Sequence, residues 1–400
     1  MFVALNTISG SRYVWQTYSR VESVFGPSPA PFCQNPQNLP VFTLMTKSDG
    51  QPSSRDESFI QAATDKPLID RNGNWTLYER RLNSIELMYL KNSQWDLTTL
   101  AGQKAFIQSG KKVNFSEGAD VNPPTGAPGA IELKLAWRIL DTSKGDDPRR
   151  YITLNARLAV DKSEIRGGTQ PICANVQLGL VGFHIIQKNP KRGVLRPQWI
   201  WATFEHQDNV PLSPNACDPV TSTCYVKPNP TVCTAPTNAT GSFSYFNASC
   251  TNKGAACPAN TAPAFQPGET EYLWSPQQPY AGPYRYDQRY GTQVARCYQI
   301  YSLTQQLNTQ WRQKLQQASS VLANYMLIGT QWGGDVEPRL GVFTNGGVPA
   351  FLSNATLETY IQTDKEFGTC LGCHKLAKMA YKSGTTTYDA NFSFLLGLAE

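Results

Sequence analysis

Apolar residues alternate with polar ones over several runs in the middle of the chain. In 131–140, Ile131, Leu133, Leu135 and Trp137 share one parity. In 151–160, Ile152, Leu154, Ala156 and Leu158 oppose Tyr151, Thr153, Asn155 and Arg157. With the strand-like runs 173–186 and 197–206, this makes four strands within about eighty residues and predicts one antiparallel sheet. A different period marks Leu303, Leu307, Trp311 and Leu315, followed by Val321, Leu322 and Tyr325. That spacing predicts an amphipathic helix over 302–325 whose apolar face packs on the sheet. Helix-like spacing also joins Tyr13, Val14, Trp15, Tyr18, Val21, Val24 and Phe25, with Pro27, Pro29 and Pro31 as the stop. Shorter helices are expected over 78–90 and around Leu376, Met379 and Ala380. Asn72-Gly73, between Ile69 and Trp75, is a hairpin signal.

Residues 207–290 break this patterning, because Pro, Asn, Thr, Ser and Cys dominate there. Of ten cysteines, two (Cys370, Cys373) lie near the C-terminus; the others are Cys33, Cys173, Cys217, Cys224, Cys233, Cys250, Cys257 and Cys297. An even set of eight fits disulfides in an oxidising compartment. Five of the eight fall between 217 and 257, so if all eight pair, at least one bond must leave that segment. The stretch therefore reads as a disulfide-stapled insertion, since a flexible linker would not carry such a cysteine density. The fold class expected is α+β and β-rich: a scaffold over 1–365 that includes this insertion, and a C-terminal segment, 366–400, packed on it.

Composition narrows the field. Hydrophobic residues are 40% and charged residues only 16%, while Gly (30) and Pro (28) are plentiful. Such a chain folds, and is turn-rich. The net charge of +6 is dispersed, and Lys188, Lys191, Arg192 and Arg196 read as a solvated turn, so no nucleic-acid partner is expected. No run reaches the ~18 apolar residues of a membrane helix. Residues 1–6 lack the basic and apolar regions of a signal peptide, so the numbering is expected to start after processing or downstream of a missing piece. No G-x-S-x-G, phosphate-binding loop or H-E-x-x-H occurs.

The sharpest chemical signal is Cys370-Leu371-Gly372-Cys373-His374. C-x-x-C-H is the attachment pattern of c-type haem: two thiols add to the porphyrin and the adjacent His is an axial ligand. The competing readings are a vicinal disulfide or a zinc half-site, and zinc needs further paired ligands. The chain holds only three His, so a sixth ligand would be His184, His206 or a Met, of which Met326 is the one plausible candidate. His184 shares a strand face with Gly182, whose missing side chain would let a flat macrocycle approach the sheet. His206 is flanked by Glu205 and Asp208, which suits orientation or proton relay. Trp199, Trp201 and Trp332 are expected to line the pocket and exclude water. The C-terminal segment is too short to enclose a haem alone, so the scaffold must supply the far side.

Several segments, taken together, resemble a family of bacterial proteins described as "cytochrome c family protein". They include Phe2-Val3-Ala4-Leu5-Asn6, Val14-Trp15-Gln16-Thr17-Tyr18, Glu132-Leu133-Lys134-Leu135-Ala136-Trp137-Arg138, the stretches 179–185, 197–209, 324–332 and 352–360, and the haem motif. They span nearly the whole chain in order. The sequence departs at Thr7-Ile8, where a Trp-Pro pair is expected, and in its elaborate insertion over 213–262. The resemblance implies a secreted or periplasmic monohaem protein with one covalently bound haem c. It names no substrate and does not choose between His184 and His206. The expectation is electron transfer with an unidentified redox partner. The alternatives are a haem peroxidase or oxygenase with an open distal site, using His206 with Glu205 or Asp208, and a subunit of a surface or filamentous cytochrome assembly.

Overall fold

Eighteen consecutive residues, Ile172–Asn189, form the strand from which the rest of the sheet is built. The computed structural model describes residues 1–26, 32–44, 58–118, 128–189, 198–219, 233–248, 258–263, 265, 268–282, 292–332, 349, 351–363 and 368–400. Its strands are β1 (Ile8–Ser9), β2 (Arg12–Tyr13), β3 (Ser19–Arg20), β4 (Val41–Leu44), β5 (Leu77–Leu82), β6 (Ile131–Ile139), β7 (Thr153–Val160), β8 (Ile172–Asn189), β9 (Gln198–His206), β10 (Leu212–Cys217), β11 (Arg296–Tyr298), β12 (Tyr325–Trp332), β13 (Lys378–Ser383) and β14 (Thr386–Asp389). Its helices are α1 (Phe2–Leu5), α2 (Val21–Phe25), α3 (Ser84–Leu90), α4 (Leu100–Gln108), α5 (Ser302–Gln317) and α6 (Cys370–His374).

Among the described residues the main sheet has eight strands in the order β12-β9-β8-β6-β5-β3, with β7 attached to the first half of β8 and β4 to β7. Pairing is antiparallel except that β4 runs parallel to β7. Along one edge of β8, residues 172–179 take β7 and residues 182–189 take β9, so the sheet forks. Tyr325 closes the fork: its hydroxyl accepts from Ile152 N–H and donates to Leu180 O, both at 2.9 Å. The chain is thus α+β and β-rich, and all four strand-like runs between 131 and 206 are strands of this sheet.

One sheet face buries Leu133, Leu135, Trp137, Phe183 and Ile185 against Trp15, Trp274 and α1. Phe2 of α1 stacks on Phe204 at 4.2 Å and meets Phe183 edge-on at 5.6 Å. Trp274 comes from the 207–290 insertion and stacks on Trp75 at 5.1 Å, so that insertion contributes core as well as surface. Disulfides join Cys33 to Cys173 and Cys233 to Cys297, and Cys217 is also disulfide-bonded. The second of these leaves the 217–257 segment, as the odd count requires. Cys224, Cys250, Cys257, Lys191, Arg192, Arg196 and the prolines at 27, 29 and 31 lie outside the described residues.

Several local expectations fail. The 11–25 stretch is a 3-10 turn (Val14–Thr17), the short β3 and then α2. The helix expected over 78–90 is present only as Ser84–Leu90; residues 77–82 are a strand, whose burial on both faces hides the alternation that would have marked it. The segment after the motif is the hairpin β13–β14 instead of a helix. The 69–75 hairpin survives as one bridge, Ile69 to Trp75, with Gly73 at φ 79° in the turn. The largest reversal is α5. It ends at Gln317, and Leu303, Leu307 and Trp311 are 59%, 42% and 50% exposed. Of the four apolar residues, Leu315 does pack against the core, and the other contacts are polar: Asn308 exchanges two hydrogen bonds with the Leu327 backbone, and Arg312 donates to Ala323 O. Among the described residues, no helix is long and apolar enough to cross a membrane.

Candidate functional site

Cross-strand partners share a sheet face, so register assigns the second face directly. Arg80 pairs with Lys134, Lys134 with His184, and His184 with Thr203; Glu132 pairs with Ile186, and Ile186 with Trp201. In sequence this is the polar parity of β6 and would read as solvent-facing. It is covered instead by α3, α4 and the C-terminal segment, whose Leu371, Ala377, Met379, Leu395 and Leu396 pack with Ile186, Trp199 and Trp201. The covering is incomplete. A cavity of about 350 Å³ remains between sheet and tail, lined by Cys370, Cys373, His374, His184, Trp201 and Glu358 among others. Its size is that of a small-molecule or cofactor pocket.

From the tail, the five residues of α6 place both thiols and the imidazole within little more than one helical turn. Neither cysteine is in a disulfide, and burial pushes the Cys370 thiol well above its ordinary range. His374 Nδ1 lies 2.7 Å from Phe392 O. A carbonyl only accepts, so Nδ1 carries the proton and Nε2 keeps the lone pair. Burial lowers the His374 pKa to about 4, which keeps the ring neutral near pH 7. The carbonyls that do this work sit on a strained turn: Asn391 and Phe392 have φ of 50° and 69°. That turn aims Phe392 O at His374 and Asn391 O at Trp199 Nε1, 2.8 Å away.

From the sheet, His184 enters the same cavity, with Nε2 2.8 Å from Glu358 Oε1. The other Glu358 oxygen accepts from Asn354 N–H at 2.8 Å. Burial raises the Glu358 pKa, but His184, together with Lys134 and the Asn354 N–H, more than offsets it and holds the carboxyl below its ordinary range. Gly182 does give room on this face, yet not to a macrocycle. A Cβ there would lie 2.5 Å from Thr356 Oγ1 and 3.2 Å from Asn354 Oδ1. The close approach thus belongs to the loop that delivers Glu358. Gly182→Ala is expected to push that loop off the sheet and destabilise the protein by about 1–3 kcal/mol, the usual cost of overpacking. A lowered urea midpoint, with loss of the His184–Glu358 coupling in an NMR titration, would register it.

His206 is on the opposite sheet face and does not reach the cavity. It is fully buried, stacked on Tyr151 at 4.3 Å, with Nε2 donating to Arg150 O (3.0 Å) and Nδ1 accepting from Asp208 N–H (3.2 Å). Both ring nitrogens are committed, so it has none left for a metal or a proton relay. Glu205 is equally occupied, by Arg296 at 2.9 and 2.7 Å and by Ala355 N–H at 2.7 Å. Of the three tryptophans, Trp201 lines the cavity, its ring 5.7 Å from His374. Trp199 lies behind it in the tail core, and Trp332, paired with Ile200, points to the other face. Met326 does not line the cavity.

The residues present fit a covalently attached haem: two non-disulfide thiols and a neutral, oriented imidazole border one largely apolar cavity, with Arg80 and Lys134 on its wall. Among the described residues, no group of three or more His, Cys, Asp or Glu is placed to hold a metal ion unaided. Glu358, Glu132 and Glu86 were missed in the sequence. Glu132 had a signal, an acid flanked by apolar residues inside a strand; Glu358 had none, since its segment has little regular structure. No family model matches the chain, and no curated protein or solved structure matches it either.

Proposed function

We propose that the chain is a monohaem c-type cytochrome that carries electrons, akin to the bacterial family its sequence resembles. The observation that carries this reading is the convergence of Cys370, Cys373 and His374 on one cavity whose sheet wall presents a second imidazole, His184. When bound, a haem supplies one-electron chemistry at its iron. The chain's own residues would do the rest. The two cysteines anchor the group, Phe392 O orients His374, and Trp201, Phe394 and Leu395 restrict water. His184 is the candidate for the sixth position. The two described disulfides support a periplasmic or extracellular setting, and the redox partner is a further protein.

Optical and EPR spectra of the purified protein test this. A haem c spectrum is expected in a six-coordinate, low-spin form. His184→Ala should turn it high-spin, and His206→Phe should leave it unchanged. The reverse pattern would sink the assignment of His184. A second reading is favoured by one contact: His184 Nε2 is already engaged by Glu358. If that contact persists with haem bound, the distal side stays open and His184–Glu358 becomes an acid–base pair of peroxidase type. A high-spin native spectrum, with peroxide turnover lost in Glu358→Gln, would select it.

A further inference from the structure

We propose that Glu86 and Glu132 form a proton-binding site in the cavity wall, which takes up one proton when the cofactor of the preceding reading gains an electron and releases it when the electron leaves. The inference rests on that reading for the cofactor and on these two side chains for the proton. Glu86, in the first turn of α3, is fully buried; Glu132, in β6, is 8% exposed and lines the cavity. Both carboxyl oxygens of Glu86 and Oε1 of Glu132 are buried with no hydrogen-bond partner among the described residues. A buried carboxyl that finds no hydrogen-bond donor favours its neutral form, so these two side chains make a place where a proton can be held. Burial, and for Glu86 also the neighbouring Glu132, holds both carboxyls above their ordinary range.

The charged surroundings fit exchange of that proton. Arg80 of β5 is the cation acting on Glu132. Lys134, His184, His374 and Glu358 face the same cavity, with His184 matched to Glu358. Arg81, also at the cavity, is matched by Glu79 at 2.7 Å. Among the described residues, no Lys or Arg forms an ion pair with Glu86. Packing alone would be served as well by a glutamine or a leucine, without the cost of a buried ionisable pair. The charges balance simply. One electron arrives from a one-electron donor protein and lowers the charge of the site by one. One proton then enters the pair from solvent and restores it. Raising the pH strips the pair, adds negative charge beside the cofactor and favours its oxidised form.

Spectroelectrochemical titration of the purified haem-loaded protein across pH is the test. The midpoint potential should fall as pH rises, and this dependence should flatten in Glu132→Gln and in the Glu86→Gln, Glu132→Gln double variant. Redox-difference infrared spectra of the native protein should also show a protonated-carboxyl C=O band that changes with oxidation state and moves on ¹³C-glutamate labelling. That readout needs no variant to fold. If the variants keep the native pH slope, or no carboxyl band responds to oxidation state, the proposal is overturned while the haem reading stands. A purified protein with no haem spectrum overturns both.

Discussion

Replacing Cys370 and Cys373 together with alanine is expected to reduce covalently attached haem to background. The two thiols are the attachment atoms of the motif, and both border the cavity beside His374. Haem staining after denaturing electrophoresis, with a pyridine haemochrome spectrum of the native preparation, reads the result. Either single substitution should retain attachment through one thioether and shift the haemochrome band. His374→Ala should keep the pigment covalent but alter its spin state, because only the axial ligand is lost. Cys33→Ser with Cys173→Ser removes a disulfide remote from the motif and should leave haem content per folded protein unchanged. Full haem retention in the double alanine variant would remove the basis of the functional reading.

The largest expected loss of stability comes from Arg138→Met. Arg138 is 1% exposed and bridges Asp70 and Asp146 at 2.7 Å each. Those carboxylates hold the turn before β5: Asp70 accepts from Asn72 and Asn74 N–H, and Asp146 accepts from Asp141 N–H and Asn72 Nδ2. Removing the cation leaves two buried carboxylates without it, a change that costs about 3–5 kcal/mol. Burial already raises the Asp70 pKa against the pull of Arg138. Without Arg138 the carboxyls would bind protons more readily when folded. The deficit should therefore be largest at neutral pH and shrink as pH falls through the aspartate range. Urea denaturation at two pH values measures this, and adding Asp70→Asn should recover part of the loss. An equal loss at both pH values would mean that packing dominates.

What the sequence disclosed follows from where burial is one-sided. Strand β7 alternates and was legible, and β9 was legible as an apolar, aromatic-rich run. Strand β5 is buried on both faces and looked like part of a helix. In β6 the alternation was real but its meaning was not: Glu132 and Arg138 occupy the polar parity yet are buried, because tail and loops cover that face. The thiols and His374 were legible because their spacing is local. The choice between His184 and His206 was not, because it depends on strand register across the whole sheet. Glu358 depends on a loop that only the folded chain brings beside β8. Helix α5 misled for a related reason, since its apolar period was read as burial while Asn308 and Arg312 had specific backbone partners.

The pairing of Asn308 with Leu327 occupies one point on an outer edge of the main sheet. β12 is an outer strand of the main sheet, and a bare outer strand offers its amide groups to any other extended chain. At Leu327 the register with β9 slips, and the side-chain amide of Asn308 supplies both a donor and an acceptor to that residue. One carboxamide thereby imitates a neighbouring strand at the point where the ladder is irregular. An incoming segment would have to expel Asn308 and lift α5 before it could add a hydrogen bond there, so the helix acts as a guard on the open side of the sheet.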